Sequence, residues 1–393
     1  MPDRPVRILH AHSTFSLGGK EARAVRLMNA FGPTAHHTVL SATTQFGARD
    51  AIFPHITTSF PTDSPSLQGK PGIARYRRLA RYMAGFDLIL TYNWGAMDVV
   101  AARRLFARTH RLPPLIHHED GFNSDEAERQ KPARIWFRRL MLPAARHVVV
   151  PSRTLEEIAR QSWRQPARRV VRIGNGIAVG AYAEPPQPAA IPGLERRPGE
   201  LVVGTIAGLR SVKNLPRLVR IFAQAANPQA RLVIVGEGPE RAAILAAAAE
   251  GGIQDQILLP GFLPDPHRYI GHFNIFALTS DSEQFPIALV EAMAAGLPCV
   301  ASCVGDVAEM LPPGNVIAAP GGEEALAAGL AAFLASPERR RSAGDANRAK
   351  AAAEYDEQVM IARYAALYGE AIGRPHAFRG GTSSILPAAQ LRL

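Results

Sequence analysis

Glu283 and Glu291 lie eight positions apart, one before and one inside an apolar run that is typical of a helix. Residues 273–279 are apolar at nearly every position and predict a short buried strand. Pro286 then suits a helix start, because its missing N–H would be unpaired in the first turn anyway. Glu283 should therefore lie on the loop after the strand, and Glu291 about one turn into the helix.

This arrangement fits one chemical task. The free N–H groups at a helix start favour an anion. A diphosphate at those groups, with a carboxylate on each side to accept hydrogen bonds from hydroxyl groups, would hold a nucleotide-activated sugar. The alternative interpretation is a solvated loop carboxylate and an ordinary carboxylate on a helix surface.

The longer phrase over residues 280–298, with its Phe-Pro and Glu-Ala-Met-Ala-Ala-Gly-Leu-Pro elements, resembles the donor site of the retaining GT-B glycosyltransferases of family 4, also called glycosyl transferases group 1. The resemblance implies that Glu283 contacts the donor sugar and that Glu291 holds the ribose hydroxyls. Gln284 stands where the family usually has glycine. The donor-binding residues implied around the helix start are Phe285, Pro286, Ile287 and Glu291.

A second candidate group follows the predicted strand 201–206. Cations at Arg210 and Lys213 could neutralise a diphosphate leaving group as the glycosidic bond breaks. The alternative is surface charge at a helix start. The segment resembles the family's phosphate clamp, in which Lys213 matches the lysine. Gly208 falls where the family arginine usually stands, and Arg210 is a candidate to replace it.

Glycine-rich turns follow two further predicted strands. Gly18 and Gly19 could let backbone N–H groups approach a ligand, or form a simple strand-to-helix turn. Gly236 and Gly238 lack the third glycine of a dinucleotide-binding loop, so they are poor evidence for NAD. The resemblance implies that the first pair lies beside the donor phosphates and the second borders the nucleotide base.

The run 117–121 is a candidate acid–base cluster at the end of a strand. The resemblance implies that His118 or Asp120 lines the reacting face, and the sequence does not choose between them. Alternation along the strand points His117 away from His118, which favours a structural role for His117. Four consecutive polar residues cannot all converge on one metal ion, and no metal ligand set is predicted.

Length and composition indicate a folded chain of two domains. The chain has 393 residues and 47% apolar content. Its two cysteines, Cys299 and Cys303, exclude a disulfide framework and favour a reducing compartment. The N-terminus has no long apolar core, and no stretch is long enough to span a bilayer. We therefore expect a cytoplasmic protein.

Charge is concentrated in the first half. Residues 1–180 carry 27 Lys+Arg against 13 Asp+Glu, whereas residues 181–393 carry 18 against 21. Such a half could attract phosphate-bearing acceptors or an anionic membrane, or it could be a solvated surface. Nucleic-acid motifs are absent from the sequence. Residues 131–141 are basic and aromatic with helical spacing, and are a candidate for contact with a membrane surface.

Strands alternating with helices predict an α/β protein with parallel sheets. We expect two Rossmann-like domains that face each other across a central cleft, as in GT-B proteins. The predicted acceptor domain is 1–183, a proline-rich linker follows at 184–199, and the donor domain is 200–354. A final helix at about 355–372 should pack back on the first domain, and residues 375–393 should form a loosely ordered tail.

The resemblance implies a retaining glycosyltransferase that moves a hexosyl unit from a nucleoside-diphosphate sugar to a glycan or lipid-linked acceptor, without a metal or other cofactor. Peripheral contact with the inner face of a membrane is compatible with this expectation. Two alternatives stay open. One is a sugar-nucleotide epimerase or hydrolase on the same fold. The other is an inactive protein that binds sugar nucleotides, suggested by Gly208 and Gln284.

Overall fold

Parallel sheets with connecting helices make up most of the chain, as the alternating pattern predicts. The computed structural model describes residues 4–16, 18–69, 71–122, 126, 130–319 and 321–378. These residues divide into two units. One contains the chain up to Gly174 together with the segment that begins at Met360, and the other is Asn175–Val359.

The first unit is built on one parallel sheet. Its described strands are β1 (Val6–His12), β2 (Ala35–Ser41), β3 (Thr58–Ser59), β4 (Leu88–Tyr92), β5 (Leu115–His118), β6 (His147–Val150) and β7 (Val170–Arg172). Its helices are α1 (Gly19–Phe31), α2 (Ile73–Met83), α3 (Met97–His110), α4 (Pro132–Met141), α5 (Arg153–Gln161) and most of α12 (Glu357–Ala371).

The second unit repeats this plan. Its described strands are β8 (Leu201–Ile206), β9 (Ala230–Val235), β10 (Ile257–Gly261), β11 (Ile275–Leu278), β12 (Cys299–Ser302) and β13 (Val316–Ala318). Its helices are α6 (Leu215–Gln224), α7 (Arg241–Glu250), α8 (Ile287–Ala294), α9 (Val307–Met310), α10 (Glu323–Ala335) and α11 (Pro337–Glu354).

Strand order fixes where each unit can hold a ligand. The first sheet has the order β3-β2-β1-β4-β5-β6-β7, and the second β10-β9-β8-β11-β12-β13. The direction of winding reverses between β1 and β4 and between β8 and β11. The loops after the two central strands therefore part at that point and leave a crevice at their carboxyl ends. The central strands are buried on both faces, which explains their nearly continuous apolar sequences.

A short break at residues 355 and 356 separates α11 from α12. The N–H of Ile177 donates to the Tyr355 carbonyl at 2.9 Å, and the N–H of Glu357 donates to the Ile177 carbonyl at 2.8 Å. These two hydrogen bonds engage the Tyr355 carbonyl and the Glu357 N–H, which would otherwise have continued the hydrogen bonding of helix α11. Beyond it, α12 buries Tyr364 and Tyr368 in the apolar core of the first unit.

Two segments differ from the expected boundaries. The division between units falls after Gly174, and Ile191, inside the expected linker, is 2% exposed in the core of the second unit. The described start of the expected tail is ordered, because Phe378 is buried against Phe31 and Tyr368. Apolar side chains in both segments are buried, and burial outweighs the loop-like composition. Residues 379–393 lie outside the described part of the chain.

None of the helices within the described ranges combines the length and apolar character needed to cross a bilayer.

Candidate active site

A pocket of about 240 Å³ opens at the switch point of the second sheet. Its walls come from the ends of β8 and β11 and from the start of α8. The lining residues are Thr205, Ile206, Ala207, Lys213, Leu215, Leu278, Thr279, Ser280, Glu283, Phe285, Pro286, Ile287 and Ala288. Five residues singled out by sequence therefore share one pocket: Lys213, Glu283, Phe285, Pro286 and Ile287.

Lys213 and Glu283 form an ion pair in this pocket. The Lys213 Nζ lies 2.5 Å from Glu283 Oε1, and the two side chains are 18% and 10% exposed. Ser280 donates its hydroxyl to the same carboxylate oxygen at 2.6 Å. At this degree of burial, either charge without its partner would destabilise the fold, and the ion pair avoids that loss. A phosphate or a sugar hydroxyl entering the pocket would find a cation and an acceptor already placed side by side.

The start of α8 places a helix N-terminus in the wall of the pocket. Pro286 is the residue just before the first helical position, with φ −71° and ψ 105°. Pro286 gives its carbonyl to the N–H groups of Leu289 and Val290, so the N–H groups of Ile287 and Ala288 precede the helical ladder. These amides lie in the pocket wall beside the Lys213–Glu283 pair.

Glu291 occupies the expected turn of α8 but is not among the residues that line the pocket. Its carboxylate accepts a hydrogen bond from the Tyr182 hydroxyl at 3.1 Å. Burial, followed by the nearby charge of Glu291, raises the pKa of Tyr269. Glu291 is thus a half-buried acid with a tyrosine hydroxyl bonded to it. Tyr182 lies in no motif, and only the fold brings it to this acid.

Arg210 bends back over Gly208. The Arg210 Nε lies 3.5 Å from the position that a Cβ on residue 208 would occupy, and the Arg210 side chain is exposed. A guanidinium from position 210 therefore reaches the space beside the backbone of position 208. Arg210 is therefore placed where it could substitute for an arginine at position 208.

The turn Gly236–Gly238 packs against the backbone of residues 207–209. Both glycines have positive φ, +146° and +153°, and a Cβ at Gly236 would lie 1.9 Å from the Ala207 carbonyl oxygen. The N–H of Leu209 donates to the Glu237 carbonyl at 2.9 Å. Only glycine allows so close an approach, which fixes the backbone that carries Arg210.

In the first unit, His118 is enclosed on every side. Its Nδ1 lies 3.2 Å from the Thr91 carbonyl oxygen, and its Nε2 lies 2.8 Å from the Tyr368 hydroxyl. Burial, then the charge of Arg23, lowers the pKa of His118 to about 3. The ring is therefore neutral at pH 7, with both nitrogens engaged inside the fold.

Asp120, two residues on, has a different environment. It forms a bidentate ion pair with Arg23 of α1, in which Arg23 Nη2 lies 2.8 Å from Oδ2, and its N–H donates to the Asn93 side chain at 2.8 Å. Burial alone would raise the pKa of Asp120, but the charge and hydrogen bonds of Arg23 outweigh it and lower the pKa. Asp120 is thus ionised at neutral pH. Arg23 carries no motif that marks it in the sequence.

His117 points to the opposite side of the sheet. Its Nδ1 lies 2.9 Å from the Thr91 hydroxyl, and its Nε2 lies 3.4 Å from Glu119 Oε2. Glu119 is also bound by the buried Arg138 at 3.1 Å. This network lies inside the fold, in keeping with the structural interpretation of His117.

Gly18 and Gly19 form the entry to α1. Gly18 precedes the helix in extended conformation, and a Cβ at Gly19 would meet no atom within 4 Å. Open space in front of Gly19 leaves room for a ligand. Lys20 and Glu21 pair with each other in the first turn.

The chain resembles known proteins in both sequence and fold. Residues 187–350 match the family model for glycosyl transferases group 1, and residues 17–180 match the model for glycosyltransferase family 4. The structure of Anabaena HepE in complex with UDP superposes with a TM-score of 0.75 over 93% of this chain and all of that one, at 19% identity.

Two curated relatives illustrate the range of similarity. N-acetyl-alpha-D-glucosaminyl L-malate synthase of Bacillus anthracis is 27% identical over 172 residues, which are 43% of this chain and 45% of the relative. The chain spans about half the length of the first relatives that it matches. GDP-mannose:cellobiosyl-diphosphopolyprenol alpha-mannosyltransferase of Komagataeibacter xylinus is 27% identical, with 95% of both chains covered.

The two family models together cover most of the chain, and both α/β units match a GT-B structure over nearly their full length. The chain therefore belongs to the family 4, or group 1, glycosyltransferases of GT-B fold.

Proposed function

We propose that this protein is a retaining glycosyltransferase that moves a hexosyl unit from a nucleoside-diphosphate sugar to a hydroxyl of a glycan or lipid-linked acceptor, in the synthesis of a cell-surface polysaccharide or glycolipid. The observation that carries the proposal is the pocket at the β8–β11 switch point. It combines a cation, a helix N-terminus and a carboxylate at one opening. These are the groups that a diphosphate joined to a sugar requires.

The roles follow from charge and position. Lys213 and Arg210 would stabilise the negative charge that develops on the departing diphosphate. Donor binding would give Lys213 a phosphate partner and release Glu283 to accept hydrogen bonds from the sugar hydroxyls. Glu291 would hold the ribose, with Tyr182 orienting its carboxylate through the 3.1 Å hydrogen bond. The turn containing Gly236 and Gly238 would border the base.

We infer retention by attack on the same face of the sugar, with the leaving phosphate as the base. Lys213 in the pocket wall with the α8 N-terminus, together with Arg210 beside Gly208, could balance the leaving-group charge, so that no metal ion or other cofactor would be needed. Transfer should therefore persist in the presence of EDTA, and its loss on chelation, with recovery on adding a divalent cation, would contradict this part of the proposal.

Between the two candidates in the first unit, the contacts favour Asp120 for a substrate contact. Its side chain is 13% exposed, whereas both ring nitrogens of His118 are engaged within the core. Gly18 and Gly19 would provide backbone N–H groups, and the space beside Gly19 is open.

The names of relatives support the substrate classes. HepE has been solved with UDP and with UDP-glucose. The K. xylinus relative is named for a GDP-mannose donor and a diphosphopolyprenol-linked acceptor. A donor screen tests the proposal directly. One sugar among the UDP, GDP and ADP series should raise the melting temperature, since a ligand at about 100 times its Kd contributes about 2.7 kcal/mol. No shift with any of them would contradict the donor assignment.

The donor identified in this screen then separates transfer from its alternatives. Radiolabelled sugar should move to a glycan or lipid-linked acceptor, and little free sugar should form without one. Release of sugar that does not depend on an acceptor would instead indicate a hydrolase. Donor binding without turnover on any acceptor would indicate an inactive binding protein.

Replacing Arg210 with alanine should lower kcat by roughly 10- to 100-fold, because one cation is lost from the leaving group. The structure offers a rescue. A Cβ at Gly208 contacts Arg210 Nε at an ordinary 3.5 Å, so the double variant Gly208→Arg/Arg210→Ala should fold. It should regain most of the lost kcat, because it puts a guanidinium back in the same space. An Arg210→Ala enzyme with unchanged kcat and KM would show that Arg210 does not contact the donor.

A further inference from the structure

Three neighbouring helices of the first unit form a strongly basic surface. Helices α2, α3 and α4 carry ten arginines and one acid, Asp98. Asp98 is already paired with the buried Arg75 at 2.8 Å. The exposed arginines of α2 and α3 thus lack acidic partners within these helices. They are Arg77, Arg78, Arg81, Arg104 and Arg108. We call this surface, with the exposed apolar residues among these arginines, the arginine face.

Large apolar side chains stand out on the same helices. Trp136 and Leu140 lie one turn apart on α4, and each is 58% exposed. Leu105 on α3 is 48% exposed. The Arg139 guanidinium covers one side of the Trp136 ring, 4.8 Å from its centroid. Exposed tryptophan and leucine surrounded by arginines are costly in water unless something covers them.

Contacts between the helices make this one surface. The Arg104 Nε donates to the Leu140 carbonyl at 3.3 Å, which joins α3 to the end of α4. On the other side of α3, Arg77 of α2 lies over the Phe106 ring at 5.9 Å. Leu105 lies between these two contacts along α3. The apolar and cationic side chains therefore belong to adjacent helices on one part of the unit.

We propose that the arginine face docks the protein on an anionic lipid bilayer. Tryptophan favours the boundary between headgroups and acyl chains, and arginine reaches the phosphates while its stem stays in apolar surroundings. The combination fits a bilayer better than a nucleic acid, because Leu105 and Leu140 have no place against a phosphate backbone. Charge would bring the protein to the surface, and the apolar residues would hold it there. The proposal does not depend on the donor pocket.

Co-sedimentation with vesicles tests this directly. The full chain should bind vesicles of phosphatidylcholine with roughly 30–40% of the anionic lipid phosphatidylglycerol, and not vesicles of pure phosphatidylcholine. Binding should weaken in 0.5 M salt, where screening shortens the reach of charge to a few ångströms. Equal binding to the two vesicle types, or none to either, would overturn the proposal.

Two double variants test separately how the charged and the apolar side chains contribute to vesicle binding. Arg78→Glu/Arg81→Glu should lower the partition coefficient on anionic vesicles by more than about tenfold, while Arg339→Glu/Arg341→Glu on the exposed face of α11 should leave it within about twofold. Trp136→Ser/Leu140→Ser should lower it by roughly tenfold, while Leu245→Ser, 46% exposed on α7, should not.

Each variant should keep the melting temperature of the parent, since every altered side chain is exposed. A melting temperature shared with the parent assigns a loss of binding to the surface itself. If the α2 and α4 variants bind vesicles as the parent does, the arginine face is not the docking surface. If the parent binds duplex DNA but not anionic vesicles, the occupant is a nucleic acid and the lipid proposal is wrong.

Discussion

Replacing Lys213 with methionine should lower kcat for sugar transfer by about 10²- to 10³-fold, the loss typical when one fixed donor to a developing negative charge is removed. Glu283→Gln should give a loss of similar size, because the amide is a weaker acceptor for the sugar hydroxyls. The expected effect of Lys213→Met is on kcat more than KM, since the leaving-group charge is fully developed only in the transition state. Rates at saturating donor and acceptor measure this.

Each single variant also breaks the Lys213–Glu283 ion pair, so it should change stability as well as activity. Each leaves a charge that is 10–18% exposed without its 2.5 Å partner, which should destabilise the second unit by about 1–3 kcal/mol. The double variant Lys213→Met/Glu283→Gln removes both charges and should recover most of that stability.

Stability and activity then give different answers for the two possible roles. If the pair binds the donor, the double variant is stable but inactive. If the pair only holds the loop in place, activity returns together with stability, and our assignment fails. Glu324→Gln and Arg339→Ala, both exposed in the same unit, are matched controls that should change neither property.

The first unit should lose stability steeply as the pH falls from 7 to 5. The prediction rests on four of the buried histidines described there: His10, His12, His37 and His118. Burial is the largest cause that lowers the pKa of each, to about 3 for His37 and His118 and well below the usual 6.5 for His10 and His12. Below pH 6.5 the unfolded chain therefore binds protons at these histidines, whereas the folded chain does not.

The sign follows from proton linkage. Between about pH 6.5 and pH 3 the unfolded state binds more protons, so the free energy of unfolding falls as the pH falls. Each of these four histidines contributes about 2 kcal/mol of loss between pH 7 and pH 5. Four such losses are comparable with the whole stability of a typical domain. Asp120 does not add to this window, because its lowered pKa places its effect below about pH 3.8.

His12→Phe provides a specific test. Both ring nitrogens of His12 are buried without a hydrogen-bond partner among the described residues, and the ring stacks on Tyr92 at 4.0 Å. Phenylalanine keeps the stack and removes the titrating group, so the loss between pH 7 and pH 5 should shrink by about 2 kcal/mol. His36→Gln, at an exposed position, should leave the loss unchanged.

Tryptophan fluorescence during urea unfolding is the measurement. All three tryptophans, Trp94, Trp136 and Trp163, lie in the first unit, so the signal reports that unit alone. Equal stability of the parent at pH 5 and pH 7, or an unchanged pH dependence in His12→Phe, would contradict the prediction.

Sequence alone predicted most of the local structure and one half of the candidate site. The alternation of apolar strands with helices predicted both parallel units, and β11, the loop with Glu283 and α8 appear where the pattern places them. These features depend on residues within about twenty positions of one another, where hydrophobic periodicity and turn chemistry are decisive. The candidate donor motif could be read for the same reason, because strand, loop and helix start are consecutive.

Contacts between distant residues were decided by the tertiary structure. Lys213 meets Glu283 across 70 positions, and Arg23 meets Asp120 across 97. No local pattern encodes these distances, since they depend on which strands are neighbours in a parallel sheet. The same holds for the division after Gly174, because Ile191 is buried only once the second core exists to receive it. Sequence thus determined which groups are available for chemistry, and the order of the strands determined which of them meet.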